Sequence, residues 1–178
     1  QRIRLGHDQS RTNMEFANIE NRVTLASLRD VKKTEWAGRP PEKAGLWRLQ
    51  LRGPNKATLE LVGGELPILQ PHAEDTGVRF TWKAKAGDGQ AEINLTITND
   101  APDGMSRWHL NAVLPAGWKV ARADWPILPN LRCKPDLKMA APIGWGIEYN
   151  VKKGMGYEGT YPSLITSMPF VAFYNHGK

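Results

Sequence analysis

The chain has 178 residues, a single cysteine and a formal net charge of +6. A single cysteine excludes an intrachain disulfide. A domain of this length buries roughly 70% of its unfolded surface, so its core can be stable without a disulfide. The positive charge is spread thinly along the chain instead of being gathered in one arm, so we expect no nucleic-acid partner. No apolar run approaches the roughly 20 residues that cross a bilayer, so we expect no membrane span.

The first part of the chain predicts short strands separated by turns. Apolar and polar residues alternate in several segments, and a period of two gives a strand one buried and one solvated face. Turn residues such as Gly and Pro lie between the segments, and residues 67–75 read as a connector. The strands predicted here are residues 2–5, 14–18, 21–28, 46–51 and 57–61.

The clearest alternation runs from residue 78 to residue 126 and predicts a β-meander. Three runs, at residues 78–84, 91–97 and 108–114, have apolar residues at alternate positions and are separated by Gly-rich and Asp-rich turns. A corner at residues 115–117 precedes a fourth run at 118–125. The alternation places Trp82, Trp108 and Trp118 in the core, and Arg79, Lys83 and Lys85 on the solvated face.

No segment has a helical period over three turns, so we predict an all-β fold, an antiparallel sandwich or barrel. Residues 132–168 are rich in Gly and Pro and alternate little, which predicts one long irregular loop region near the C-terminus. Strand character resumes at residues 166–174. The turn-like residues that follow would normally lead into another strand, so we expect the chain to be part of a longer protein.

Four motifs in the last third of the chain resemble a known family. They are Asp-Trp-Pro-Ile-Leu-Pro at residues 124–129, Met-Ala-Ala-Pro-Ile-Gly-Trp-Gly at 139–146, Gly-Thr-Tyr-Pro-Ser at 159–163, and Ser-Met-Pro-Phe-Val-Ala-Phe-Tyr-Asn at 167–175. Their order is similar to that in the N-terminal β-sandwich domain of large bacterial glycoside hydrolases. Residues 21–36 and 46–49 resemble earlier strands of such a domain.

The resemblance implies a fold and a role. Residues 1–178 would form one galactose-mutarotase-like supersandwich domain, a fragment of a longer glycoside hydrolase. Such a domain packs against a (β/α)8 barrel that bears the two catalytic carboxylates, so no catalytic residue carries over to this chain. The implied partner is the catalytic domain of the same polypeptide. The chain begins at Gln1 without a methionine, as a processed or trimmed protein does, so we expect a secreted, periplasmic or cell-surface protein.

Aromatic residues near the irregular region are the predicted contact surface. Aromatic faces backed by polar groups suit the apolar side of a sugar ring, and they would also suit the missing catalytic domain. The histidines are far apart in sequence, and no nucleotide or phosphate motif is present, so we predict no metal site and no cofactor from the motifs. Calcium held by backbone carbonyls and scattered acids stays open. The candidates for contact with a glycan or the partner domain are Trp125, Trp145, Glu148, Tyr149, Tyr157 and Tyr161.

Three functions are therefore compatible with the sequence. The first is a non-catalytic accessory domain that braces the catalytic barrel and lends a loop to the rim of its active site. The second is a free-standing carbohydrate-binding module, which would bind a glycan alone. The third is a self-contained mutarotase-like or lyase-like enzyme, which would gather a histidine and acidic residues in a concave pocket.

Overall fold

The structure, a computed structural model, describes residues 1–6, 12–39, 43–74, 76–99, 106–128, 131–132, 136–141, 147–151 and 172–175. These residues form antiparallel strands and one turn of 3-10 helix at Pro54–Lys56, with no α-helix among them. The predicted all-β antiparallel fold is confirmed. The strands of the described residues are β1 (Arg2–Leu5), β2 (Thr12–Ile19), β3 (Arg22–Asp30), β4 (Arg48–Arg52), β5 (Thr58–Val62), β6 (His72–Glu74), β7 (Gly77–Ala86), β8 (Gly89–Thr98), β9 (Arg107–Val113), β10 (Lys119–Asp124), β11 (Leu137–Ala141), β12 (Ile147–Asn150) and β13 (Ala172–Asn175).

The chain divides into two compact units, Gln1–Leu131 and Arg132–Lys178. One layer of the first unit is the antiparallel meander β6-β7-β8-β9. Strands β7 and β8 pair along their whole length, and every second residue in each of them is buried, as the alternation of the sequence predicted. A two-residue turn joins them, and its first residue, Gly87, has a φ of 61°, which favours glycine.

Two three-stranded sheets, β1-β2-β3 and β10-β4-β5, form the opposing layer of this unit. The ring of Phe16 on β2 meets Phe80 on β7 with 5.5 Å between centroids. Trp47, just before β4, meets Trp82 edge-on at 5.2 Å. All four side chains are fully buried, so the core lies between the layers and the unit is sandwich-like.

Strand β10 departs from the predicted meander. The sequence placed residues 118–125 after β9 in the same sheet, but β10 pairs with β4 in the opposing layer. The corner explains the crossing, because Pro115 has no N–H for a ladder and Gly117 has a φ of 80°. A turn hydrogen bond of 3.1 Å from the Trp118 N–H to the Pro115 carbonyl then redirects the chain.

Glycines make room for Trp118 at this crossing. A Cβ atom on Gly53 would lie 2.6 Å from the indole, and one on Gly87 would lie 3.3 Å from it. Gly53 precedes the turn between β4 and β5, whereas Gly87 belongs to the turn between β7 and β8, so Trp118 contacts both layers. It is half-buried against the core, as is Trp108, while Trp82 is fully buried.

The second unit contains β11 at the centre of a sheet, flanked by β12 and β13. Strands β11 and β12 lie inside the region that the sequence predicted to be irregular, residues 132–168. Leu137, Met139 and Ala141 are buried, and the two residues between them are half-buried, so a period of two is present over this short run. Most of that region otherwise lies outside the described residues, as does much of the predicted strand at 166–174, of which β13 covers the end.

Candidate functional site

Trp125 directly follows β10, and 38% of its surface is exposed. It precedes Pro126 through a cis peptide bond, and the N–H of the next residue, Ile127, donates to the Leu46 carbonyl at 2.8 Å. This bond ties the end of β10 to the segment that leads into β4. Trp125 is thus a partly exposed indole on an anchored stretch of backbone, an arrangement that can make contact with another molecule.

Glu148 and Tyr149 lie on β12 in the second unit. Glu148 is exposed and pairs with Lys138 at 3.2 Å, whereas Tyr149 is half-buried opposite Met139. Successive side chains of a strand point to opposite faces, so these two neighbours belong to different faces of the sheet. The other predicted contact residues, Trp145, Tyr157 and Tyr161, lie outside the described residues, and their roles stay predictions.

Among the described strands, β10 pairs on one side only, with β4, and we call its other side the β10 edge, defined as Lys119–Asp124 with Trp125. Pairing places Val120 opposite Leu51 and Ala123 opposite Leu49, so all four point to the same face of the sheet. Leu49 and Leu51 are 1% exposed, but Val120 is 43% exposed, and Ala123 is exposed as well. No other described strand pairs with this edge, so it presents backbone donors and acceptors beside apolar side chains.

A second surface feature is a polar groove of about 490 Å³ on the sheet β1-β2-β3. The strand register aligns Arg4, Glu15 and Ser27 in one row across the three strands. A β-bulge at Ala26 creates this row, since it shifts the register between β2 and β3 and reverses which β3 residues face the core. The polar groove is lined by charged and polar side chains from these strands and the turn after β3, which are Arg2, Arg4, Asn13, Glu15, Ser27, Arg29, Asp30, Lys33 and Glu35.

Two arginines share one carboxylate in the polar groove. Arg2 donates through a terminal nitrogen to Glu15 Oε1 at 2.5 Å, and Arg4 donates through Nε to Oε2 at 2.9 Å. The hydrogen bond from Arg4 lowers the pKa of Glu15, burial opposes the shift, and the positive charge of Arg2 lowers it further. Glu15 is therefore held ionised and orients both guanidinium groups.

Glu35 organises the other end of the groove. Its carboxylate accepts hydrogen bonds from Ser27 Oγ, from Arg29 Nε at 3.1 Å, and from the backbone N–H groups of Leu28 and Ala37. Partial burial raises the pKa of Glu35, but the bonds from Ser27 and the two amides outweigh it, so the net shift is downward. The carboxylate is thus saturated with donors and holds Arg29 in place.

The Asp30 carboxylate also accepts several hydrogen bonds and stabilises the turn after β3. It accepts from the backbone N–H groups of Lys32 and Thr34, both at 2.9 Å, and from the Trp36 indole N–H at 2.9 Å. Burial raises the pKa of Asp30, and these bonds, led by the one from Thr34, lower it by more. The sequence pattern did not predict these contacts, because the donors that surround Asp30 and Glu35 follow no periodic pattern.

These pKa shifts predict that acid destabilises the fold. Each lowered pKa adds stability that is complete above the ordinary carboxyl value of about 4 and is lost as the pH falls through the folded value. We expect the unfolding free energy from urea titration to fall steadily between about pH 5 and about pH 3. The fall should be shallower for Glu35→Gln, whose side chain does not titrate. An unchanged unfolding free energy over this range would contradict the prediction.

The lysines and arginines of β7 do not form an unpaired basic stripe. Arg79 forms an ion pair with Glu74 on β6, and Lys83 lies 3.8 Å from Glu92 on β8. All three predicted cations, including Lys85, are exposed as the alternation required. Two of the three therefore have acidic partners across the sheet, which lowers the local positive potential.

Among the residues that the structure describes, no three His, Cys, Asp or Glu side chains come together as metal ligands would. In the same part of the chain, no helix is long and apolar enough to cross a bilayer. Comparisons with protein-family models, with curated proteins and with solved structures found no match for this chain. The resemblance to glycoside hydrolase domains therefore stays a prediction from short motifs.

Proposed function

We propose that the chain is a non-catalytic accessory domain, of the galactose-mutarotase-like supersandwich type, in a secreted glycoside hydrolase. The observation that carries this proposal is the β10 edge, which exposes Val120 and Ala123 opposite the fully buried Leu51 and Leu49. Lys119 and Arg122 charge this edge and a β-bulge distorts it, which disfavours strand addition, so the contact that a partner would cover is the apolar surface of Val120 and Ala123. The partner we propose is the catalytic domain of the same polypeptide.

The chemistry of the described acids supports a structural role. A glycosidase needs one carboxyl group whose pKa is raised so that it can donate a proton. The pKa values of Glu15, Asp30 and Glu35 are shifted the other way, because hydrogen-bond donors surround each carboxylate. These side chains suit charge pairing and turn formation, which a bracing domain requires.

The proposal predicts that Val120→Lys weakens docking of the catalytic domain. The substitution places a charge within the apolar contact, and burying that charge would cost free energy. We expect the dissociation constant, measured by calorimetry with the catalytic domain added in trans, to rise at least tenfold, a change of about 1.4 kcal/mol. The fold should remain intact, since Val120 is 43% exposed.

The matched control is Val113→Lys on β9. Val113 is 57% exposed and also lies on an outer strand, but in the other layer. This variant should dock like the wild type, because the proposed contact does not include β9. Equal losses in both variants would show that added charge, and not the β10 edge, is responsible. A parent polypeptide without a catalytic domain would overturn the proposal.

A second candidate function is a carbohydrate-binding module, and the exposed Trp125 is the observation that favours it. An indole that is 38% exposed can stack on the apolar face of a sugar ring. Micromolar binding on a glycan array that is lost in Trp125→Ala or Trp145→Ala would select the module over the bracing domain. Turnover of a glycoside or an aldose by this chain alone would instead exclude both non-enzymatic functions.

A further inference from the structure

The polar groove contains more hydrogen-bond donors than acceptors. Its lining carries four cations, Arg2, Arg4, Arg29 and Lys33, and three carboxylates. Those carboxylates already accept bonds from guanidinium groups, backbone amides, a hydroxyl and an indole, as described above. Among the described residues, the groove therefore offers a ligand more unsatisfied hydrogen-bond donors than acceptors.

The arginines are held in fixed orientations with donors to spare. Arg4 and Arg29 each bind their carboxylate through Nε, and no described residue accepts a hydrogen bond from their terminal NH2 groups. Both side chains are largely solvent-accessible, at 76% and 56%, while Glu15 and Glu35 beneath them are mostly covered. Guanidinium groups fixed by covered carboxylates lose less entropy when they bind an acceptor.

The shape of the groove and the geometry of its donors select a ligand class. A volume of about 490 Å³ lies within the range of small-ligand sites. A planar guanidinium fork matches a carboxylate or a sulfate ester, and the match is closest for a carboxylate, which accepts two parallel bonds. Within the groove, Glu15 and Glu35 already show how guanidinium groups pair with carboxylates at this site.

We propose that the polar groove binds the carboxylate of an acidic saccharide, that is, a glycan containing uronic acid residues. The saccharide part of this inference rests on the proposed function, because it assumes that the protein acts on carbohydrate. The terminal NH2 groups of Arg4 and Arg29 would hold the carboxylate. Ser27, in the same row of the sheet as Arg4, would face the hydroxyl groups of the sugar ring.

Calorimetric titration with three oligosaccharides of equal length tests the proposal: an oligogalacturonate, its methyl ester and a sulfated neutral glycan. We expect saturable binding of the galacturonate that weakens as salt is added, and no binding of the neutral ester. Binding of the ester as tightly as the acid would overturn the proposal, because the carboxylate would then be irrelevant. Preference for the sulfated glycan would overturn the assignment to uronic acids.

Variants locate the binding in the groove. Arg4→Gln should weaken galacturonate binding about tenfold or more, the loss expected when a charged hydrogen-bonding partner is removed. Arg48→Gln is the control, because Arg48 is also an exposed arginine on a strand, paired with Glu60 at 3.4 Å outside the groove. Equal effects of the two substitutions would overturn the assignment of the site.

The same variants separate this proposal from the proposed function. Arg4→Gln should leave docking of the catalytic domain unchanged, and Val120→Lys should leave galacturonate binding unchanged. Docking without galacturonate binding would refute only the groove proposal. Galacturonate binding without docking would refute only the bracing role.

Discussion

Replacing Trp82 with alanine is expected to lower the free energy of unfolding by about 3–5 kcal/mol. Trp82 is fully buried on β7, and its ring centroid lies 5.2 Å from that of Trp47 and 6.2 Å from that of Phe80. It also forms an isolated bridge to Ile68, which lies outside the strands. An alanine would leave a cavity where the two layers meet, and rigid sheets cannot collapse to fill it.

Urea titration followed by circular dichroism measures this loss. The control is Trp125→Ala, which removes the same side chain from an exposed position and should cost less than about 1 kcal/mol. Trp82→Phe should lower the free energy of unfolding much less than Trp82→Ala does. The indole N–H of Trp82 is buried without an acceptor among the described residues, so phenylalanine also removes an unsatisfied donor. Similar losses for Trp82→Ala and Trp125→Ala would show that the core is not centred on Trp82.

Replacing Glu35 with alanine should be the next most damaging change, at about 2–3 kcal/mol. The substitution removes the acceptor of two backbone N–H groups, those of Leu28 and Ala37, and of the Ser27 hydroxyl. These donors are partly buried, so water replaces the lost bonds incompletely. The guanidinium group of Arg29 also loses its partner, which adds a smaller loss at the solvent-exposed end.

The control for Glu35 is Glu60→Ala on β5. Glu60 is 52% exposed and makes one ion pair, with Arg48 at 3.4 Å, which is worth less than about 1 kcal/mol. The loss of unfolding free energy for Glu35→Gln should lie between those for Glu35→Ala and Glu60→Ala, since an amide keeps one accepting oxygen but loses the charge. Equal unfolding midpoints in urea for Glu35→Ala and Glu60→Ala would contradict the structural role assigned to Glu35.

Local alternation was sufficient to predict the strands whose buried face is continuous. In β7 and β8 every inward residue is apolar, from Val78 to Ala86 and from Ala91 to Ile97, so a period of two identifies both the strand and its face. Strand β6 was missed because its three residues are too few to show a period. Its position is fixed by pairing, with His72 opposite Arg79.

Pairing over long distances was not predictable from local pattern. Nothing in residues 118–125 shows that β10 pairs with β4, because the partner of a strand depends on the path of the whole chain. The local pattern also did not predict which side chains of β3 face the core. Val23 and Leu25 are buried, and the bulge at Ala26 then turns Leu28 inward and Ser27 outward.

The candidate sites were predictable only in part. Aromatic composition singled out Trp125, which the structure places on an exposed edge. The polar groove was not predicted, because its arginines and acids come from three strands and a turn that are separated in sequence. Only the register between those strands brings Arg4, Glu15 and Arg29 to one surface.

The pairing of β10 with β4 has a consequence during protein synthesis. The hairpin of β4 and β5 leaves the ribosome long before Asp124 is translated, so one side of β4 stays without its neighbour in the nascent chain. Pairings between distant segments form slowly, and unpaired strands invite intermolecular association in the meantime. We therefore expect nascent chains that stop before residue 119 to be held by chaperones and cut readily by proteases, and longer ones to become resistant.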